Sequence, residues 1–304
     1  MILIELGLAK RTSTFILLVL FNLGFCFSQQ RIERISDFDA FYVNPTFVSP
    51  ASTINLNRAR ADFFTRSYRG DFSEVQEQAL AFSFQPKRNE IKTTQHEMGL
   101  WINSQQEGPH IKNTRVYGNY KLCIPVSKNW RVGAGIDVGY MNAILGATGR
   151  SSDFTFVSNL GITAYSKQFH ISGSIQHLLD QELVPLQSRI QLPRTFNIAF
   201  GYELDLSEKL VLKTDWWTRI IPMYYKQQVI NLRMSYKKRV VVGISTGAVF
   251  NKSHQTNIFV SPQVGLTEIP IKSALFDVFF TYRFPVLAVA SNNTFDLVLA
   301  YRLN

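Results

Sequence analysis

Cysteine is nearly absent from this chain: Cys26 and Cys123 are the two in 304 residues. Cys26 falls in an N-terminal leader, so the mature protein keeps Cys123 alone and has no intramolecular disulfide available. Long apolar runs are missing too. Beyond residue 28 nothing approaches the ~20 consecutive apolar residues that a membrane-crossing helix needs. Histidines are few, and His96, His110, His170, His177 and His254 show no metal-type spacing with a nearby acid. No GxSxG nucleophile motif occurs. The acidic residues of Asp37-Phe38-Asp39 and Ser151-Ser152-Asp153 are too sparse for a calcium loop. Cys123 falls on a polar strand phase and reads as a packed thiol. No catalytic residue, metal ligand or cofactor is therefore expected, and the chain reads as a non-enzyme.

The formal charge is +10 and the pI about 9.6. A basic balance of this size can attract nucleic acid or anionic lipid. Here the basic residues are spread along the polar phase of alternating segments rather than gathered in long runs, which argues against nucleic acid.

Residues 1–28 read as a signal peptide. Lys10 and Arg11 form the basic region, Phe15 to Leu23 the apolar core, and Cys26-Phe27-Ser28 a small-x-small site before Gln29. The apolar core is short for a membrane helix. A lipoprotein signal would place a small residue before Cys26, where this chain has Phe25. Residues 29–57 follow without periodicity, and the prolines at 45 and 50 exclude a central strand or a helix interior there.

From residue 58 to 304 the pattern changes to strict alternation. In Thr195–Ile220, Phe196, Ile198, Phe200, Tyr202, Leu204 and Leu206 occupy every second position against Asn197, Ala199, Gly201, Glu203 and Asp205. After Ser207-Glu208-Lys209 the alternation resumes through Leu210, Leu212, Thr214, Trp216, Thr218 and Ile220. Successive side chains of a strand point to opposite faces, so this is a hairpin with one apolar face and one charged face. Each strand is long enough to cross a bilayer when tilted. About fourteen such segments occupy the chain, as expected of an outer-membrane barrel. Links also alternate in length, long at 105–113, 144–153, 178–193, 250–256 and 285–293, short at 127–129, 166–167, 207–209 and 237–239. That is the expected rhythm of extracellular loops and periplasmic turns, with both termini periplasmic. The polar link at 86–95 is longer than this rhythm allows.

A soluble β-sandwich would also alternate. Three features favour a transmembrane antiparallel β-barrel of the outer-membrane type. Arg131, Asp137, Glu203, Asp215, Arg233, Asp277 and Arg302 sit within strands on faces carrying both signs, as suits a lumen where opposite charges pair between strands. Trp130, Tyr140, Tyr202, Trp216 and Tyr301 lie where interfacial aromatic girdles are expected. The last segment, Thr294–Asn304, is amphipathic and can pair with the first. Gly133, Gly135, Gly139, Gly243 and Gly247 fall on the inward phase, where a missing side chain leaves room for a bulky neighbour or lets a strand bend.

The run Phe41-Tyr42-Val43-Asn44-Pro45-Thr46-Phe47-Val48-Ser49-Pro50-Ala51-Ser52 resembles the N-terminal signature of the PorP/SprF family of type IX secretion system membrane proteins. Asn44-Pro45 matches its first Asn-Pro step. Ser49-Pro50-Ala51 matches its second, Asn-Pro-Ala, with Ser in place of Asn. Met98 to Ile102, Tyr117 to Lys121 and Asn129 to Gly135 are also similar to the family's strands. The resemblance implies an outer-membrane barrel of Bacteroidetes without enzymatic activity, with outer-membrane lipid, secretion components and a secreted cargo as partners. The cargo would be of the kind represented by large surface adhesins, some linked to gliding.

Two function classes follow. One is a barrel that assists export or surface retention of a secreted partner. The other is a transporter or channel for small hydrophobic solutes, with residues 29–57 as a hatch. An outer-membrane lipase would need a Ser–His pair assembled across strands. Whether the lead-in plugs the lumen or faces the periplasm stays open at this level.

Overall fold

The structure is a computed structural model describing residues 44–52, 58–69, 74–86, 94–107, 111–146, 151–179, 181–183, 190–251, 256–287 and 293–303. The signal peptide, most of the lead-in and most of the 86–95 link lie outside these residues.

A 3-10 turn, Pro45–Phe47, precedes sixteen strands. The first six are β1 (Ala59–Arg69), β2 (Val75–Phe84), β3 (Gln95–Glu107), β4 (Ile111–Pro125), β5 (Arg131–Leu145) and β6 (Ser151–Tyr165). Then come β7 (Phe169–Gln176), β8 (Gln181–Leu183), β9 (Ile190–Leu192), β10 (Thr195–Ser207) and β11 (Leu210–Ile221). The chain ends with β12 (Tyr225–Tyr236), β13 (Val240–Asn251), β14 (Thr256–Ile271), β15 (Ala274–Leu287) and β16 (Asn293–Leu303). All except β8 and β9 form a closed antiparallel barrel of 14 strands. Closure is made by β1 against β16, in register from Ala59↔Leu303 to Arg69↔Asn293. A sheet closed on itself has no edge to protect, which a sandwich cannot offer.

The register explains the alternation. Across β10 and β11, Phe196 faces Ile220, Phe200 faces Trp216 and Leu204 faces Leu212 on the outer surface. On the inner surface small residues sit opposite large ones, Ala199 against Trp217 and Gly201 against Asp215. Burial is inverted relative to a soluble protein. Arg66, Arg115, Lys121 and Arg219 are among the largest fully buried side chains, while Leu80, Phe82, Leu100 and Ile198 are exposed. This arrangement suits a barrel whose outer solvent is hydrocarbon.

Three details differ from the sequence reading. The strands run further than their alternation suggested, so the link expected at 105–113 narrows to 108–110. Near the strand ends both faces carry polar residues, and the contrast that marks a strand fades. The stretch 178–193 is not all loop, because β8 and β9 pair within it as a small separate sheet. Trp216 lies midway along β11 rather than at its end.

Candidate functional site: a chain segment seated in the barrel

Residues 44–52 lie inside the barrel, and their sequence dictates their shape. Asn44 caps its own 3-10 turn: its Oδ1 accepts from the Thr46 amide at 3.1 Å, and its carbonyl accepts from the Phe47 amide. Proline is suited to the first position of such a turn, since its missing N–H would have no partner there. The second step is a β-turn in which the Ser52 amide donates to the Ser49 carbonyl at 3.0 Å. Pro50 holds the position for which its fixed φ is preset. The two proline steps thus fold a nine-residue segment into two consecutive turns compact enough for a barrel interior.

The wall holds this segment at both ends and in the middle. Asn44 Nδ2 donates to Asp62 Oδ2 at 2.7 Å, while Arg60 Nε reaches the same carboxylate at 2.8 Å. Lys121 Nζ donates to Thr46 Oγ1 at 2.9 Å, to the Ser52 carbonyl at 2.7 Å and to Glu97 Oε1 at 2.9 Å. Ammonium has three donors, and Lys121 places all of them. Ser174 Oγ donates to the Val48 carbonyl at 2.6 Å, and Gln176 Nε2 to the Phe47 carbonyl at 3.0 Å. Asn119 Nδ2 reaches the Pro50 carbonyl at 3.3 Å. Buried backbone carbonyls need such donors, so the wall satisfies groups that would otherwise be costly.

Apolar contacts complete the fit. Phe47 packs edge-on against Phe64 and Trp101, with ring centroids at 4.8 and 5.4 Å. Trp101 in turn stacks on Tyr117 at 4.1 Å. Leu183 of β8 and Leu192 of β9 are buried in the same cluster. On the opposite side Val48 meets Ala199, Trp217 and Val229. Between Phe47, Trp101, Arg115, Tyr117, Asn159, Gln176 and His177 a cavity of ≈ 10 Å³ remains, about the room one water needs.

Two wall glycines are required by this packing. A Cβ on Gly135 would stand 2.3 Å from the Pro50 carbonyl oxygen, and one on Gly161 would stand 2.5 Å from Ser49 Oγ. Gly135→Val is therefore expected to expel residues 44–52 or distort the wall behind them. Maleimide labelling of a Ser49→Cys reporter in a Cys123→Ser background reads this out, and labelling should speed up by roughly 10-fold or more, as when ~1.4 kcal/mol of seating is lost. Gly118→Ala is the control, because its Cβ would come no nearer than 3.8 Å to the Val138 carbonyl oxygen. Equal labelling in Gly135→Val and the control would show that the segment does not rest on this wall.

The charges expected in the lumen form several separate clusters. Asp137 accepts hydrogen bonds from Asn119 and Asn159 and is buried beside the seated segment. Asp215 pairs with Arg233, and His170 Nε2 lies 3.8 Å from its other oxygen. Asp277 pairs with Arg302 at 2.6 Å. Arg131 donates to Gln95 at 2.6 Å, and Glu203 pairs with Lys213 at 2.6 Å in a half-exposed position. Of the motif residues, Asn44, Ser49, Pro50 and Ala51 are buried within the barrel. Sequence reasoning met Lys121 only as the end of a family-like strand and gave it no role, and it missed Glu97, Asp62, Ser174 and Gln176. Nothing local marks them, because their partner is a segment 18 to 129 residues away.

Cys123 is buried with its Sγ 3.1 Å from Tyr165 Oη. His177, just past β7, is fully enclosed. Burial, and then the nearby Arg115 guanidinium, push its pKa down to about 3, so its ring is neutral. Among the described residues no group of His, Cys, Asp or Glu is arranged to hold a metal ion.

No curated protein matches the sequence. Solved structures of similar fold are outer-membrane barrels. A CymD monoaromatic hydrocarbon channel has a TM-score of 0.55 at 9% identity, covering 90% of this chain and 94% of its own. The Ralstonia pickettii toluene transporter TbuX has 0.53 at 12%, covering 92% and 96%. A Pseudomonas aeruginosa FadL homologue has 0.53 at 9%, covering 82% and 91%. At such identities the likeness is one of fold. The type IX secretion system membrane protein family PorP/SprF matches residues 31–301. A closed barrel of outer-membrane type, carrying that family's match along nearly its whole length, belongs to the PorP/SprF family of type IX secretion system membrane proteins.

Proposed function

We propose that this chain is a non-enzymatic outer-membrane barrel that works by binding other proteins of type IX secretion, a secreted cargo or a periplasmic component, rather than by conducting solutes. The observation that carries this reading is the seated segment. Residues 44–52 fill the space beside Lys121, Trp101 and Trp217 with a matched set of hydrogen bonds and ring contacts. The mixed-sign pairs Arg66–Asp296, Arg233–Asp215 and Arg302–Asp277 join neighbouring strands, so among the described residues these lumen charges are matched in sign rather than gathered to guide ions of one sign. In this reading the short turns and both termini are periplasmic, and the signal peptide delivers the chain to the outer membrane. A large adhesin, in a gliding bacterium of the Bacteroidetes, is the kind of cargo it would serve.

Affinity purification from solubilised outer membranes should recover a secretion component or an exported protein, and deletion of the gene should lower the amount of cargo at the surface. Normal secretion after deletion, with neither class of partner recovered, refutes the reading. A second reading, passage of small hydrophobic solutes, is favoured by the fold shared with the hydrocarbon channels and by an apolar groove of ≈ 680 Å³ on the outer wall. Toluene uptake into proteoliposomes separates the two, since a binding barrel should take up no more than empty vesicles.

A further inference from the structure

Three lysines occupy backbone positions that favour glycine or asparagine. The Tyr236 carbonyl accepts from the Arg239 amide at 3.0 Å, closing the β12–β13 turn around Lys237 and Lys238 at φ 50° and 57°. Two central residues of positive φ make a type I′ turn, for which Asn-Gly is the preferred pair. Lys272, in the short link from β14 to β15, has φ 54°. A left-handed backbone crowds Cβ against the following carbonyl oxygen, so turn formation alone does not select these side chains. Side chains kept at a local cost point to a use.

The cations form a continuous rim rather than scattered charges. The Lys237 amide donates to the Lys209 carbonyl in the β10–β11 turn at 2.6 Å. On β14, the Thr267 amide and hydroxyl donate to the Arg239 and Lys238 carbonyls at 2.8 and 2.6 Å. Lys209, Lys237, Lys238, Arg239 and Lys272 are all exposed, with Glu208 and Glu268 the acids beside them. The inward Arg66, Lys121, Arg233 and Arg302 each pair with an acid, but among the described residues none of the rim cations does.

The register sets their height in the bilayer. Tyr236 faces Val240 and Val240 faces Leu266, a row of exposed apolar side chains on the outer wall. Lys237 directly follows Tyr236, Arg239 directly precedes Val240, and Lys272 directly follows the exposed Ile271. One residue advances a strand by ~3.3 Å. The headgroup layer is roughly 5–7 Å deep on each side of the hydrocarbon. The rim cations therefore stand among headgroups. The Lys237 ammonium is 5.4 Å from the Tyr236 ring centroid, turned back over a lipid-facing side chain rather than out into water. An acidic protein arriving from the water would not call for that placement.

We propose that this rim binds the headgroups of anionic phospholipids, with Lys237, Lys238, Arg239 and Lys272 meeting the phosphates of the surrounding leaflet. It requires only a barrel in a bilayer, so it stands apart from the proposed role in secretion.

Native mass spectrometry of the purified barrel, incubated with equimolar phosphatidylglycerol and phosphatidylcholine, tests it. The parent should retain phosphatidylglycerol over phosphatidylcholine by about 10-fold. Lys237→Asn with Lys238→Gly should lower that preference by about 5-fold or more, while its urea midpoint holds or rises because the turn gains its favoured residues. Lys112→Gln, at an exposed position near the other end of the barrel, should keep the preference. Equal retention of the two lipids by the parent overturns the proposal and leaves an acidic protein face as the partner of the rim. An unchanged preference in the Asn-Gly variant places the lipid elsewhere and overturns it. A preference erased by equimolar inorganic phosphate means a free-anion site, and a lowered urea midpoint means the lysines serve the turn itself; either result also overturns it.

Discussion

Deletion of residues 44–52 is expected to turn an electrically silent barrel into one that passes ions in planar bilayers. The expectation follows from what the segment occupies. It lies between Asp62 on one wall and Ser174 and Gln176 on another, with Lys121 bonded to both of its turns. Lys121→Met is the finer test. It removes three charge-assisted bonds at once and leaves Glu97 buried without its cation. Breaking one partner out of a buried pair costs about 3–5 kcal/mol. Part of that falls on the wall itself, but a loss of even ~2.8 kcal/mol from the seat raises the unseated fraction roughly 100-fold. Frequent channel openings should therefore appear in Lys121→Met and be rare in the unaltered protein. If the deletion variant inserts, resists heat like the parent and stays silent, the lumen is closed by something other than this segment.

The second large effect is expected at the seam where the barrel closes. Arg66 and Asp296 lie directly opposite each other on β1 and β16, joined by two bonds of 2.6 Å, with side chains 0% and 1% exposed. Arg66→Ala leaves a carboxylate buried with its main partner gone, and about 3–5 kcal/mol of stability should be lost. The urea midpoint of the reconstituted barrel measures it. Pairing Arg66→Met with Asp296→Leu should recover part of the loss, because both charges of the pair are then removed together, although the buried Glu77 opposite Arg66 keeps its own charge. A double variant as weak as the single one would mean that the seam depends on the shape of these side chains rather than on their charge balance.

The seam also shows how the lumen handles like charges. Arg60 and Arg302 stand opposite one another across β1 and β16. Each is neutralised by a different acid, Arg60 by Asp62 two residues along its own strand and Arg302 by Asp277 on β15. Cationic residues within one barrel layer can thus be adjacent without net repulsion. The arrangement also explains why both signs alternate along the inner phase of the strands.

The sequence alone determined the barrel. A side-chain period of two is a property of every strand, and it survives in β5, β10, β11, β12 and β16 without knowledge of any partner. The inward placement of Asp137, Asp215, Asp277 and Arg302 follows from that phase, as does the packed state of Cys123. The Asn-Pro and Ser-Pro-Ala steps carried the family, because proline and asparagine fix backbone turns through local geometry. What the tertiary structure decided is everything that depends on register across the chain. Lys121 is one of many basic residues on an inner phase, and only its distance to Thr46, Ser52 and Glu97 sets it apart. The inward glycines looked alike in sequence. Gly135 faces the Pro50 carbonyl, while Gly247 makes room for the ring of Phe259. The pairing of β8 with β9 was hidden as well, since the stretch 178–193 reads as a long link that begins just past the end of β7. Pairing between distant segments is set by the closure of the whole barrel, and no local stretch of sequence encodes it.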